Sequence, residues 1–176
     1  ASAEYVDLFT NSPSTTTLSP TNALTYSVWI KRTTAPTSYE WIMGTQSSMS
    51  AVDGAMFVYH NSTGYRFGIN SYANGSLKSV SGNSDPLLSD GKWHSLIGTY
   101  DKQNIRLYFD GVAQTPLAYT TNVNYPANSL LAIGRVGNGA SYYWNGAIDD
   151  VRIYSRALSA SEVSQLYLSS ARNYIK

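Results

Sequence analysis

Residues 105–111 read IRLYFDG, and this stretch decides the fold class. Apolar and polar side chains alternate from position 105 to position 109, which is the period of a β-strand with one buried face. Asp110 and Gly111 then supply the two residues that a tight hairpin turn requires. The stretch therefore predicts a strand whose chain reverses at Asp110.

The same alternation recurs along the chain between turn-forming residues. Further strands are predicted at residues 26–31, 41–44, 55–60, 65–72, 93–100, 130–135 and 147–154. Loops are predicted at residues 33–38, 45–54, 82–91, 119–128 and 137–142. Many short strands separated by turn signals are typical of a two-sheet antiparallel sandwich, so we expect an all-β fold.

One short helix is predicted near the C-terminus, over about residues 159–168. Ser159 and Glu162 have the spacing of a capping box, in which each side chain binds the other residue's backbone N–H. Leu158 and Val163 flank this box at the spacing of a hydrophobic staple. The sequence does not decide whether residues 169–176 fray or dock on a neighbouring element.

Composition limits the classes of partner. The chain has 176 residues, so we expect one domain over residues 1–176. It is 43% hydrophobic and 13% charged, with a net charge of +1, which argues against nucleic acid as a partner. No apolar run approaches the roughly 20 residues of a membrane span, so we expect no membrane insertion. The absence of Cys excludes disulfides and cysteine-bound zinc.

Low charge with abundant Ser, Thr, Asn and Tyr is common in exported proteins. We therefore expect an extracellular or surface-exposed protein, whether secreted, on a cell surface or on a virion. Ala1-Ser2-Ala3 resembles the small residues around a cleaved leader peptide, which agrees with that expectation.

Three ordered segments resemble the laminin-G-like, concanavalin-A-like jelly-roll family. The first is SVWIK at residues 27–31, and the second runs from DGKWH at residues 90–94 through TYD to LYFDG at residues 107–111. The third joins IGR at residues 133–135 to NGAIDDVRIY at residues 145–154 and then RALS. The resemblance covers about residues 26–167 and implies a jelly-roll sandwich. The family contains glycan-binding modules, adhesion domains, enzyme appendages and virion parts, so the fold alone does not give the function.

The carboxylates argue against a glycan-cleaving enzyme. Related glucanases place two or three carboxylates on one strand, whereas this chain has only three Glu and lacks that signature. Asp149 and Asp150 are adjacent, so on a regular strand their side chains would point to opposite faces. We interpret Trp29, Trp93 and His94 as structural residues.

The function that we expect is a noncatalytic carbohydrate-binding module or lectin-like adhesin that binds poly- or oligosaccharides. Flat aromatic rings cover the apolar faces of sugars, and guanidinium groups bind their hydroxyls. The candidate ligand-binding residues are Tyr39, Trp41, Tyr59, Arg66, Tyr142 and Tyr143. The alternative is a structural subunit of a virion, fibre or cell-surface layer, which would bind copies of itself or other surface proteins.

The resemblance also implies one structural calcium ion. In related sandwiches the aspartate that corresponds to Asp149 often binds calcium, and Glu4 is the carboxylate nearest the expected partner segment. Calcium prefers six to eight oxygen ligands, which this composition supplies. The alternative is that Asp149 pairs with Arg152 or caps a turn.

Overall fold

A computed structural model describes residues 5–7, 20–36, 38–48, 51–60, 64–71, 76–82, 89–125, 129–136 and 142–175. Within these ranges the chain forms twelve strands and one helix. The strands lie in two antiparallel sheets that pack face to face, which confirms the expected sandwich.

Sheet A has the strand order β1-β11-β3-β4-β5-β6. Its strands are β1 (Val6–Asp7), β3 (Glu40–Ser48), β4 (Ala51–His60), β5 (Gly64–Ser71), β6 (Ser76–Ser81) and β11 (Leu130–Ile133). Sheet B has the order β10-β8-β7-β2-β12, and β9 pairs with β8 beside that path. Its strands are β2 (Leu24–Lys31), β7 (Trp93–Tyr100), β8 (Asn104–Phe109), β9 (Val112–Ala113), β10 (Leu117–Ala118) and β12 (Ala147–Tyr154).

The main core fills the space between the two sheets. Alternate residues of β2 point into it, and the same alternation on β5 places Tyr65, Phe67 and Ile69 opposite them. This period of two is what the sequence shows, because each sheet presents every second side chain to the other. The strands predicted at residues 93–100 and 147–154 have the bounds of β7 and β12.

The hairpin predicted from residues 105–111 is confirmed. Phe109 pairs with Val112 across the turn between β8 and β9. Asp110 has a φ of 45° and Gly111 a φ of 79°. Two successive positive φ values are those of the tight turn whose twist matches the twist of its flanking strands.

One loop prediction is corrected in sheet A, and one strand there was not predicted. The loop expected at residues 45–54 is largely strand, because β3 continues to Ser48 and β4 begins at Ala51. Strand β6 was also absent from the prediction. Its apolar residues Leu77 and Val80 lie on opposite faces of the sheet, so the sequence of β6 has no regular alternation of apolar and polar residues. Strand β6 lies at the edge of sheet A, where such alternation is not required.

Helix α1 (Ala160–Tyr174) ends six residues beyond the end predicted at residue 168. It packs on the outer face of sheet B. The capping box at Ser159 and Glu162 is present. The last turn is held by aromatic stacking, because the Tyr174 ring lies 4.5 Å from the Trp29 ring and 5.1 Å from the Trp93 ring. Residues up to Tyr174 therefore dock rather than fray.

Gly98 on β7 is required by the packing between the sheets. A Cβ atom at this position would overlap the ring of Phe67 on β5. We expect Gly98→Ala to destabilise the domain by about 1–3 kcal/mol, because overpacking displaces a core ring. Urea unfolding followed by tryptophan fluorescence measures this. Phe67→Leu in the Gly98→Ala background should restore part of the loss, and equal midpoints for the parent and Gly98→Ala would contradict the assignment.

Candidate functional site

The outer face of sheet A carries a small cluster separate from the main core. Trp41 on β3 pairs with Val58 on β4, which pairs in turn with Arg66 on β5. Residues directly opposite each other in antiparallel strands share a face. Trp41, Val58 and Arg66 therefore form a row across three strands, on the face that points away from sheet B.

Trp41 is the buried centre of this cluster. It is 1% exposed and packs with Met56, Val58 and Val136. The expectation that its ring is an exposed platform for a sugar is wrong, since the segment that contains Val136 folds over it. Its indole Nε1 is buried without a hydrogen-bond partner among the residues that the structure describes. Trp41 acts instead as a support beneath the surface.

Tyr39 packs against Trp41, and Tyr142 packs against Tyr39. The Tyr39 ring is 6.5 Å from the Trp41 ring and 5.4 Å from the Tyr142 ring, which it meets edge-on. Tyr142 is 46% exposed, and its carbonyl accepts a hydrogen bond of 2.8 Å from the backbone N–H of Trp41. This backbone hydrogen bond fixes the position of Tyr142 on sheet A, so its ring forms the exposed rim of the cluster.

Arg66 brings a positive charge to the same surface. Burial raises the pKa of Tyr39 above its ordinary value, the positive charge of Arg66 opposes this shift, and Tyr142 adds to it. Arg66 is half-buried, and its Nε is buried without a hydrogen-bond partner in the described parts of the chain. Four of the six predicted ligand-binding residues thus meet here, with Tyr39, Arg66 and Tyr142 as the surface; these three residues are called the Tyr39 surface below.

The other two predicted ligand-binding residues do not join them in the structure. Tyr143 points the other way and lies 6.2 Å from the Tyr5 ring, over which the Arg135 guanidinium stacks at 4.3 Å. Tyr59 pairs through its backbone with Glu40 and Tyr65, and its side chain lies outside the described part of the molecule.

A buried ion pair that sequence analysis did not identify positions the Tyr39 surface. Arg32 donates to both carboxylate oxygens of Glu40, at 3.0 Å and 3.3 Å. Glu40 also accepts a hydrogen bond from the backbone N–H of Asn145, and the Arg32 guanidinium stacks on Trp144 at 4.8 Å. The pair therefore links the start of β3 to the segment that follows Tyr142. Nothing in the sequence around Glu40 indicates its partner eight residues earlier.

Asp149 and Asp150 both contact α1, which corrects the expectation that their side chains point to opposite faces. The pairing of β12 with β2 shifts register between residues 149 and 152, and Asp150 has a φ of 48°. Asp149 accepts a hydrogen bond from the Asp150 backbone N–H, and it lies close enough to Tyr174 on α1 that burial and the Asp149 carboxylate raise the pKa of Tyr174 to about 12. Asp150 pairs with Arg152 through two hydrogen bonds of 2.7 Å and 3.0 Å and accepts a third from Ser170.

The described residues supply only part of a calcium site. Asp149 borders an open cleft of about 980 Å³ between β1 and β12, which Tyr5 and Val6 also line. Glu4 lies outside the described residues. Among those described, no three carboxylate, His or Cys side chains gather closely enough to hold a metal. Calcium at Asp149 therefore stays a prediction, and no chemistry is derived from it.

The side chain of His94, at the start of β7, lies between two aspartates. Its Nδ1 lies 2.7 Å from Asp110 and its Nε2 3.2 Å from Asp90. Burial lowers the pKa of His94, but the hydrogen bonds and charges of Asp110 and Asp90 outweigh that effect and raise it above the ordinary value. Because both nitrogens are engaged and the ring stacks on Phe109 at 5.3 Å, His94 ties two loops together as a structural residue.

Comparison with known proteins decides the family. A family model described as the concanavalin A-like lectin/glucanases superfamily matches residues 3–164. The chain belongs to this superfamily. The resemblance found in the sequence is thereby confirmed. No curated protein sequence matches the chain.

Solved structures show the same fold at low sequence identity. A heptameric SAP-like pentraxin from Limulus polyphemus matches with a TM-score of 0.64 and 18% identity, over 86% of this chain and 72% of the pentraxin chain. Domain 4 of an extracellular arabinanase from Geobacillus stearothermophilus, solved with arabinotriose, has a TM-score of 0.61 and 22% identity, with 84% and 67% covered. The binding domain of botulinum neurotoxin serotype G has a TM-score of 0.67 and 17% identity, with 98% and 46% covered.

These similarities show that the chain shares its fold with proteins of several functions. Several of the similar structures are toxin binding domains, and some are sialidase chains, of which this chain covers 24%. The shared fold does not itself show catalysis. In the described part of the chain, no helix is long and apolar enough to cross a bilayer.

Thermal melts in chelator and in millimolar calcium test the calcium prediction. An ion at Asp149 should stabilise the parent by roughly 2.7 kcal/mol when free calcium is a hundred times the dissociation constant. Asp149→Ala should abolish the difference between the two melts. An identical midpoint in both buffers, for the parent and the variant alike, would show that calcium does not bind here.

The pH dependence of stability tests the role of His94. Its folded pKa lies above the ordinary value of 6.5, so its stabilisation is complete below that value and is lost as the pH rises through the folded pKa. We therefore expect the free energy of unfolding to fall as the pH rises from 6.5 through the folded pKa of His94. His94→Gln should flatten this dependence, whereas His60→Gln should keep it and leave one histidine to follow by NMR. A histidine resonance that titrates below pH 6.5 in His60→Gln would overturn the assignment.

Proposed function

We propose that this domain is a noncatalytic carbohydrate-binding module, and that the Tyr39 surface binds its ligand. The observation that carries the proposal is the edge-on contact of Tyr39 with the half-exposed ring of Tyr142, on the sheet face that also carries Arg66. The partner is a poly- or oligosaccharide, and the protein acts at the cell exterior or on a surface.

The chemistry of the three side chains fits a sugar. An exposed tyrosine ring covers the apolar C–H face of a pyranose or furanose, and such stacked contacts contribute on the order of 1 kcal/mol each. The guanidinium of Arg66 offers N–H donors to ring or hydroxyl oxygens. Trp41 beneath the two tyrosines restricts their motion, so less conformational entropy is lost when a ligand binds.

The comparisons support the proposal at the level of the class. The arabinanase domain was solved with arabinotriose, and it shares this fold at 22% identity. The carboxylates give no support to a glycan-cleaving enzyme. Asp150 is held by Arg152, Glu40 by Arg32 and Glu162 by Arg156.

The distribution of exposed apolar side chains favours a binding module over an assembly subunit. In the described residues, the large exposed ones lie at separate places: Tyr5 just before β1, Val6 on β1, Val112 on β9, Tyr142 before β12, Leu168 on α1 and Ile175 at its end. An interface between copies needs a continuous apolar centre, which these scattered positions do not form.

Paired substitutions at two adjacent tyrosines test the proposal. A glycan array, run with and without chelator, first identifies a ligand. Tyr142→Ala should then weaken binding of that ligand by about fivefold, because a stacked ring is lost. Tyr143→Ala is the matched control, since this neighbouring ring faces Tyr5, and it should bind as the parent does. Unchanged binding by Tyr142→Ala, or an equal loss in Tyr143→Ala, would contradict the placement.

Comparison of Trp41→Ala with Tyr142→Ala tests whether Trp41 supports the Tyr39 surface from below while Tyr142 contacts the ligand. Because Trp41 is fully buried, its removal should cost about 3–5 kcal/mol of stability, whereas Tyr142→Ala should leave the melting midpoint close to the parent's.

If light scattering shows an ordered polymer and the glycan array shows no binding, the assembly function replaces this proposal.

A further inference from the structure

Arg66 differs from most of the arginines, because no carboxylate among the described residues pairs with it. The chain has seven arginines. Five of them form an ion pair with a carboxylate: Arg32 with Glu40, Arg106 with Asp101, Arg135 with Asp7, Arg152 with Asp150, and Arg156 with Glu162. Among the described residues, no such pair includes Arg66 or Arg172.

The two unpaired arginines lie in different surroundings. Arg172 is exposed in the last turn of α1, where water solvates its charge and the partial negative charge of the helix end attracts it. Arg66 is half-buried in the middle of a sheet face, between Val58 and Ser81 on the neighbouring strands. Water therefore compensates the charge of Arg66 less completely.

The hydrogen bonding of Arg66 is also incomplete. Its buried Nε has no partner among the residues that the structure describes, although a buried N–H normally finds one. The acidic side chains described for sheet A, Asp7 and Glu40, are each held by an arginine of their own. The Tyr39 surface is thus a positively charged surface to which the described residues bring no negative charge.

We propose that the Tyr39 surface selects acidic sugars, with the carboxylate of a sugar acid bound by Arg66 and the sugar ring resting on Tyr142. This inference rests on the proposed function and names the substrate class of the same site. The guanidinium is planar and presents parallel N–H donors that match the two oxygens of a carboxylate. A neutral sugar would leave the charge of Arg66 without a partner, so the acid should bind more tightly.

Matched pairs of glycans that differ only in the charge of the carboxyl group test the inference. Suitable probes are oligogalacturonate and its methyl ester, and sialyllactose and the methyl ester of its sialic acid. We expect the parent to bind the acidic member of at least one pair about 10- to 100-fold more tightly at low salt, since hydrogen bonds to charged groups contribute about 1.5–3 kcal/mol. The preference should shrink at high salt.

Arg66→Gln should remove the preference for the acid. Arg172→Gln is the matched control, because it removes the same charge from an exposed site on α1, and it should keep the preference. Arg66→Lys should retain part of the preference, since lysine keeps the charge without the planar fork. Thermal melts of all variants verify that they are folded.

The outcomes separate this inference from the proposed function. Binding of neutral sugars with no preference for their acidic partners overturns the inference and leaves the carbohydrate-binding function intact. A preference for the acid that persists in folded Arg66→Gln also overturns it. If the parent binds no glycan of either kind, the proposed function itself falls.

Discussion

The ion pair between Arg32 and Glu40 holds the Tyr39 surface together. Glu40 lies between Tyr39 and Trp41 on the chain, and its carboxylate is shared between Arg32 and the backbone of Asn145. A pair this deeply buried is costly to desolvate, and removal of one partner typically costs about 3–5 kcal/mol. Its geometry therefore tolerates little variation. The pair therefore restricts the positions of Tyr39, one residue before Glu40, and of Tyr142, three residues before Asn145.

The second constraint is an irregularity in strand pairing. Regular alternation would place Trp41 and Met43 on the same face of β3. The register of β3 with β4 shifts between these residues, so Met43 enters the main core while Trp41 stays outside it. A bulge of this kind re-aims one side chain without breaking the sheet. The outer face of sheet A thereby acquires an apolar centre of its own, over which Tyr39 and Tyr142 lie.

The sequence predicted the strands well wherever one face of a strand meets the core. Strands β2 and β8 show the alternation because burial of one face in the main core imposes it. The polar end of β3 and the edge strand β6 are held by backbone hydrogen bonds, which leave no mark in the side-chain pattern. Sequence reasoning therefore assigned both to loops or missed them.

The site could be predicted only in part. Four of the six predicted ligand-binding residues lie close together on sheet A, and their role stays a prediction. The burial of Trp41 depends on Val136, almost a hundred residues further along the chain, which no local pattern reveals. The separation of Tyr142 from Tyr143 depends on a left-handed backbone at Tyr142, with a φ of 56°. The burial of Trp41 and the separation of Tyr143 from Tyr142 thus result from backbone conformation and from contacts between distant parts of the chain, not from the chemistry of the residues.

Helix α1 determines how many ligands one domain can hold. By stacking Tyr174 and Tyr167 on Trp29, it seals the outer face of sheet B against solvent. Only sheet A keeps an outer face with exposed aromatic rings in the described part of the chain. Under the proposed function, the described residues give each domain one binding surface, so a stronger attachment to a repetitive polymer would require several domains tethered at matching spacing.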